Sequence, residues 1–357
     1  MNTYGFNLKL KIYGGSHDEK IGMTLEGIPA GEHVDFDALG AFMSRRAPGK
    51  DPYSTKRREG DVPHFLSGFD GNVTTGEKIE AVIFNSNMHS GDYSNLVDIP
   101  RPSHADFAAR MKYGENVDLR GGGHFSGRLT APMCIAGGIC LQILARKNIY
   151  VAAHIASVGK IKDQAFDAVN VSKCDFDTLG EKSFPVIDDV AGEKMRVAID
   201  EARLDCDSIG GTVECAAIGL PTGLGEHMFM GVEGRISSIV FGIPAVKAIE
   251  FGLGFACADL RGSENNDPFE MKDGRIVTRT NNCGGILGGM TDGMPLVFRA
   301  AIKPTPSIAK EQDSVSLSEL KNVKLKIVGR HDPCIVPRAV PVFEAACALA
   351  IMDMLLD

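Results

Sequence analysis

Apolar and polar residues alternate along Phe6-Asn7-Leu8-Lys9-Leu10-Lys11-Ile12, which predicts a strand with one buried and one wet face. Residues 4–13 and 21–28 read as two strands around the loop "YGGSH". Phe36, Leu39, Phe42 and Met43 recur at helical spacing, with Asp35 placed to cap the helix start. A further strand is expected over 77–84, and "RPSHADFAARMKYG" reads as a short helix with Ser103 at its cap. "GGGHFSGRLTAPMCIAGGICLQILARKN" predicts a glycine loop followed by a long apolar helix, with Pro132 in its first turns. Val190, Met195, Val197, Ile199 and Ala202 give 188–205 the pattern of an amphipathic helix.

Glycine-broken strands follow through residue 280, then strands at 296–302 and 323–328, and an Ala-rich helix over about 340–356. The polar stretch 308–320 reads as a mobile surface loop. Strands come in runs rather than in regular βαβ alternation, which favours α+β over a doubly wound parallel sheet. No composition break divides the chain, so one domain spanning 1–357 is expected.

The chain is 44% hydrophobic and 24% charged, enough for a large core. Glycine supplies 41 of 357 residues, above the usual ~7%. A net charge of −8 disfavours general polyanion binding, yet a local basic pocket for a small anion remains open. The nine cysteines form no C-x-x-C pair, and Cys134, Cys140 and Cys347 sit in apolar company. That pattern suits reduced thiols and a cytoplasmic protein better than a disulfide frame or a zinc site. The N-terminus shows no signal segment, and no run of 18 apolar residues suggests a membrane span.

The glycine loop 121–128 precedes a helix, where backbone N–H groups bind anions, though close helix packing explains it equally. It lacks the dinucleotide and P-loop spacings. "TNNCGGILGGMTDGMP" (280–295) carries two Gly-Gly pairs. "KPTPSI" (303–308) offers Lys303, Thr305 and Ser307 at a strand end, suited to a phosphate cradle or a plain turn. Arg45, Arg46, Lys50, Lys56, Arg57 and Arg58 crowd one segment, as an anion clamp or a solvated face. His17, His104 and His331 have suggestive neighbours, but no zinc-hydrolase spacing and no G-x-S-x-G elbow occurs.

Taken in order, "YGGSH", "SRRAPG", "RPSHADF…KYG", "DSIGGTVEC", "LRGSE", "TNNCGGILGGMTDGMPLVFRAAIKPTPSI" and "GRHDPC.VPRAVPV.EA" resemble the chorismate synthase family across nearly the whole chain. The resemblance implies helices sandwiched between antiparallel sheets in a homotetramer. It implies a 1,4-elimination of phosphate from 5-enolpyruvylshikimate 3-phosphate, giving chorismate with reduced FMN and no net redox change. By that similarity His17 is the acid toward the phosphate, His104 protonates the reduced flavin, and Asp332 handles the proton near flavin N5. Arg46, Arg101 and Arg128 would bind substrate. The resemblance assigns FMN to His124, Phe125 and Ser126, to Pro244, Ala245 and Gly288, to Lys303, Pro304, Thr305, Pro306 and Ser307, and to Arg330. Some members reduce their flavin with NADPH, and no reductase segment is recognised in this sequence.

Several site positions depart from the common family pattern. Gly15 and Asp18 flank Ser16-His17, Ala47 replaces a third arginine, His124-Phe125 replaces Arg-Ser, and Pro306 stands where serine is common. A divergent relative that binds FMN or an anionic metabolite without catalysing the elimination is the alternative reading.

Overall fold

The structure, a computed structural model, describes residues 3–49, 60–85, 98–114, 117–327 and 332–357. Two antiparallel five-stranded sheets enclose a pair of long helices. The first sheet runs Thr3–Tyr4, Lys9–Tyr13, Lys20–Glu26, Ile79–Phe84, His64–Ser67 in space. The second runs Val246–Phe251, Leu296–Ile302, Gly211–Ile218, Tyr150–Val158, Ile161–Lys162. The helix Thr130–Arg146 packs on the first sheet, and the helix Val336–Leu355 packs on the second. The two helices also pack on each other, which closes an α+β sandwich around one apolar core.

Their close approach follows from small side chains. A Cβ on Gly137 would lie 2.3 Å from the Cβ of Ala345, so no larger residue fits there without a shift. Among the described residues one stretch, Gly127–Arg146, is long and apolar enough to cross a membrane, and most of it is buried against the rest of the fold.

The predicted cap at Asp35 is present: its carboxylate accepts from the N–H groups of Asp37 and Ala38, opening the helix Phe36–Arg46. Elsewhere long-range contacts override local pattern. The opening strand starts at Lys9 rather than Phe6, because the buried Asp353 carboxylate takes the N–H groups of Phe6, Asn7 and Leu8 at 2.8–3.1 Å. Phe6 is exposed and lies against the Arg235 guanidinium. Ser103 is not a cap. It has φ +59°, and the helix begins after it, at Asp106. Val190 and Val197 are exposed on the helix Asp189–Leu204, whose buried face carries Ala191, Met195 and Ile199.

The stretch expected to be a mobile loop is a hairpin, Gln312–Ser316 with Lys321–Leu325. Its polar residues fasten it: Ser316 Oγ donates to Asp98, which also accepts from the Ser318 N–H. The strand expected at 323–328 ends at Leu325. All nine cysteines are unpaired by disulfides, and Cys134, Cys140 and Cys347 are buried as their company suggested, whereas Cys174, Cys206 and Cys257 are exposed.

Candidate active site

A cavity of about 560 Å³ opens where the glycine loop, the Arg101–Ala105 segment and the Lys303–Ser307 segment converge. Residues 242–246 and the start of the C-terminal helix complete its wall.

The glycine loop places both histidines. Gly121, Gly122 and Gly123 have φ of +57°, +94° and +51°, a left-handed run closed to most side chains. A Cβ on Gly121 would lie 2.2 Å from His17 Cε1, and one on Gly122 would lie 3.4 Å from His104 Nε2. The loop is therefore bare on the side where each imidazole approaches. His17 is buried behind Gly121, and Gly121 itself lines the cavity. Ser16 Oγ donates to the Arg120 carbonyl at 3.0 Å, which leaves it to accept from His17 Nδ1 at 3.1 Å. A second proton on His17 then resides at Nε2.

His104 belongs to a tight trio. Its Nδ1 is 2.6 Å from Asp106 Oδ1, and the Arg101 guanidinium donates to both Asp106 oxygens at 2.7 Å. Arg101 also reaches Ser307 Oγ at 3.3 Å. Burial alone would push the Asp106 carboxyl up, but hydrogen bonds from Arg101 and His104 outweigh it and hold the group well below the usual carboxylate range. The ionised Asp106 orients the ring through Nδ1, which leaves Nε2 toward the glycine loop.

On the other wall, buried Arg46 and Arg128 both pair with Asp61. Arg46 Nε also donates to Thr130 Oγ1 at 3.0 Å, and Arg128 Nε donates to Asn85 Oδ1 at 3.1 Å. Burial opposes ionisation of Asp61, yet the two guanidinium charges win and lower its pKa. Arg338 donates to the Arg46 carbonyl and pairs with Asp332. Arg45 turns away from this wall and pairs with Glu344, so the expected clamp uses only one of the two adjacent arginines.

Lys303, Thr305, Pro306 and Ser307 line the cavity, as do Pro244 and Ala245. Ala245 has φ +74°, a strained conformation held by its carbonyl accepting from the Lys303 N–H at 3.0 Å. Burial, with Lys247 adding to it, pushes the Lys303 ammonium below the usual lysine value. The buried Thr305 hydroxyl has no partner among the described residues. His124, Phe125 and Ser126 also line the cavity.

Two expected positions lie elsewhere. Pro304 is exposed outside the wall, and Gly288 lies between the short strands Ile286–Leu287 and Met290–Thr291, outside this cavity. In the preceding part of that glycine segment, Gly284 and Gly285 serve close backbone packing against Gly252 and Pro295. Arg330 and His331, like Lys50, Lys56, Arg57 and Arg58, lie outside the described residues.

Sequence reading missed Arg338, Asp61, Asp106 and Asn85. Arg338 stands inside a quoted motif, and Asp106 follows His104 by two residues, so both carried a signal. Asp61 and Asn85 carried none. They meet Arg128 only through the fold.

A second chamber of about 860 Å³ adjoins the first and shares His124, Phe125, Thr130, Gly242 and Pro244 with it. Its other walls include Tyr4, Leu10, Ile12, Tyr113 and Met133, and among the described residues no Lys or Arg lines it.

Residues 8–356 match the chorismate synthase family model. The chorismate synthase of Lancefieldella parvula is 44% identical over 99% of this chain and 96% of that protein. That of Thermococcus kodakarensis is 44% identical over 98% of this chain and 96% of its own length. A crystal structure of chorismate synthase superposes with a TM-score of 0.78 at 27% identity, covering 99% of this chain and 92% of that one.

Proposed function

Since the chain belongs to the chorismate synthase family, we propose that it eliminates phosphate from 5-enolpyruvylshikimate 3-phosphate in this cavity, giving chorismate with the aid of reduced FMN. The observation that carries the reading is the charge of the wall. Among the described residues Arg46, Arg101, Arg128, Arg338 and Lys303 stand there against Asp61, Asp106 and Asp332, a surplus of two cations before the histidines are counted. A substrate with two carboxylates and a phosphate neutralises such a surplus, and forked guanidinium donors suit each of those groups.

The residues present fit a flavin phosphate. The unpartnered Thr305 hydroxyl, Lys303 and Ser307 supply donors at one end of the cavity, and the strained Ala245 backbone adjoins them. Reduced FMN would lend electron density to the reaction and recover it without net redox change. His17 holds a proton at Nε2 behind a glycine that puts no side chain between ring and cavity, so it protonates the departing phosphate. His104, oriented by Asp106, is the proton donor on the flavin side in this reading. Asp332, paired with Arg338, would handle the proton near flavin N5 in this reading.

In this reading the chain is one domain working in the cytoplasm, as free thiols suit a reducing compartment. Exposed Phe229 and Phe255 suit burial between copies, consistent with a homotetramer. The test is anaerobic incubation with photoreduced FMN and 5-enolpyruvylshikimate 3-phosphate, followed by chorismate absorbance. Chorismate formation dependent on both additions is expected. Ligand binding without product would overturn the catalytic reading in favour of a non-catalytic relative.

A further inference from the structure

His124 stands at the junction of the cation-rich cavity and the second, mainly apolar chamber, and lines both. Its Nδ1 lies 2.9 Å from the Gly14 carbonyl. A carbonyl only accepts, so Nδ1 carries a proton in every ionisation state. That leaves Nε2 as the group that changes. It is an acceptor when the ring is neutral and a charged donor when the ring is protonated. Among the described residues Nε2 makes no protein hydrogen bond, and the side chain is exposed.

Among the described residues the carboxylates near this ring are engaged, and Asp332, which lines the same cavity, is paired with Arg338. Asp18, on the loop that carries Gly14, accepts from the Gly15 N–H at 2.6 Å. Asp118, which shares the second chamber, is held by the Arg120 guanidinium at 2.7 Å. The other titratable groups around it are the Tyr113 phenol, His17 on the Gly14 loop, and the cavity's His104. Arg46, Arg101, Arg128 and Arg338 carry fixed positive charge on the cavity side, and Lys303 lies with them. Among the described residues each of these carboxylates already has a donor, so an anion from solution is the partner that suits a protonated His124.

We propose that His124 is a proton-dependent anion contact at this junction, which binds a phosphate or carboxylate oxygen of the ligand through Nε2 while Nδ1 anchors the ring to the loop bearing His17. The backbone reinforces that anchor: the Ser16 N–H donates to the Gly123 carbonyl at 3.2 Å. An anion on Nε2 strengthens the Nδ1 donor on the opposite side of the ring, so ligand binding tightens the glycine loop on the His17 loop. The proposal rests on the cavity being the anion site of the reading above, and it makes His124 a positioning residue rather than an acid.

Inorganic sulfate is the probe, because it does not titrate between about pH 5.5 and 8.5, a range that brackets the histidine reference pKa of ~6.5. Binding is followed by calorimetry and by the His124 Cε1–H resonance. In the parent, sulfate should bind roughly tenfold more tightly at the acid end than at the alkaline end, and should raise the pH at which the His124 resonance titrates. His124→Gln keeps an N–H for Gly14 but cannot become charged, so most of that pH dependence should vanish. His124→Arg should bind at the alkaline end as the parent does at the acid end. His17 and His104 contribute equally to parent and variants, so the difference between profiles isolates His124. Identical profiles for parent and His124→Gln, or a His124 titration unmoved by sulfate, would overturn the proposal. Sulfate binding needs no turnover, so this result and the chorismate assay fail independently.

Discussion

Two buried charge clusters of this molecule behave differently. At the cavity, Asp61 sits between Arg46 and Arg128, and among the described residues the wall carries more cations than carboxylates. In the second sheet, His154 sits between Asp163 and Glu214 at 2.9 Å each, with Arg299 linking Glu214 to Glu250. There the carboxylates outnumber the cations, three to two with His154 charged; the Glu214 and Asp163 oxygens that face His154 also accept from the N–H groups of Phe166 and Ile187, and the second Asp163 oxygen accepts from the Asp188 N–H. The sheet cluster is thus closed within the chain, fixing the strands Tyr150–Val158 and Gly211–Ile218 to the segment that precedes the helix Asp189–Leu204. The cavity cluster has charge left over and an opening beside it. Burial of charge is common to both, and only an unspent surplus facing a cavity marks a ligand site.

The largest expected effect separates chemistry from scaffolding. His17→Ala and His104→Ala should each lower turnover by about 10²–10⁴-fold while leaving the melting temperature within a few degrees of the parent. His154→Ala, by contrast, should lower stability and leave the turnover of the folded fraction intact. Steady-state assays paired with calorimetry check all three.

Next come the carboxylates that hold each cluster. Asp61→Asn and Glu214→Gln each leave buried cations underpaired and should cost about 3–5 kcal/mol in urea unfolding. The clusters should then part company. Sulfate or FMN should restore part of the loss in Asp61→Asn, because an anion can settle among the freed arginines, and none of it in Glu214→Gln. Equal rescue of both variants would erase the distinction drawn between them.

The pH dependence of the sheet cluster has a definite sign. Burial alone would lower the His154 pKa, but hydrogen bonds to Asp163 and Glu214 raise it above the usual histidine value. Its contribution is therefore full below about pH 6.5 and lost as pH rises through the raised value. For Asp163, burial opposes ionisation, while the His154 bond and two backbone N–H groups lower its pKa, so its contribution holds above about pH 4 and is lost as pH falls further. The stability gap between the parent and His154→Gln should be flat between those limits and shrink above them. A gap that widens on the alkaline side would contradict the charged assignment of His154.

The smallest effect concerns one hydroxyl. Thr305→Val removes a donor that has no partner in the chain alone, so stability should not fall, while FMN affinity should drop about fivefold, or about 1 kcal/mol. Fluorescence titration of the flavin measures it.

Much of this was legible in the sequence, for physical reasons that differ by residue. The Asp35 cap, the glycine-led helix and the two-residue alternation of Leu10 and Ile12 are local signals, and local backbone geometry obeyed them. The failures are long-range. Phe6 leaves its expected strand because a carboxylate 347 residues away takes its N–H. The 312–325 hairpin looked loose because its fastening partner, Asp98, lies far off in sequence. In the site, the histidines and Arg46, Arg101 and Arg128 stood inside recognisable motifs. The pairing of two of those arginines through Asp61 did not, since the three residues lie on separate segments joined only by folding.

On this reading the charge surplus marks where the polyanionic substrate and cofactor bind. A crystal structure of the chain with FMN and 5-enolpyruvylshikimate 3-phosphate tests it most directly. The account predicts the substrate phosphate and carboxylates inside the 560 Å³ cavity, within hydrogen-bond reach of Arg46, Arg101, Arg128 or Arg338, and the flavin phosphate against Lys303 and Thr305. Either ligand bound elsewhere, with the arginine wall still paired only to its own carboxylates, would contradict it.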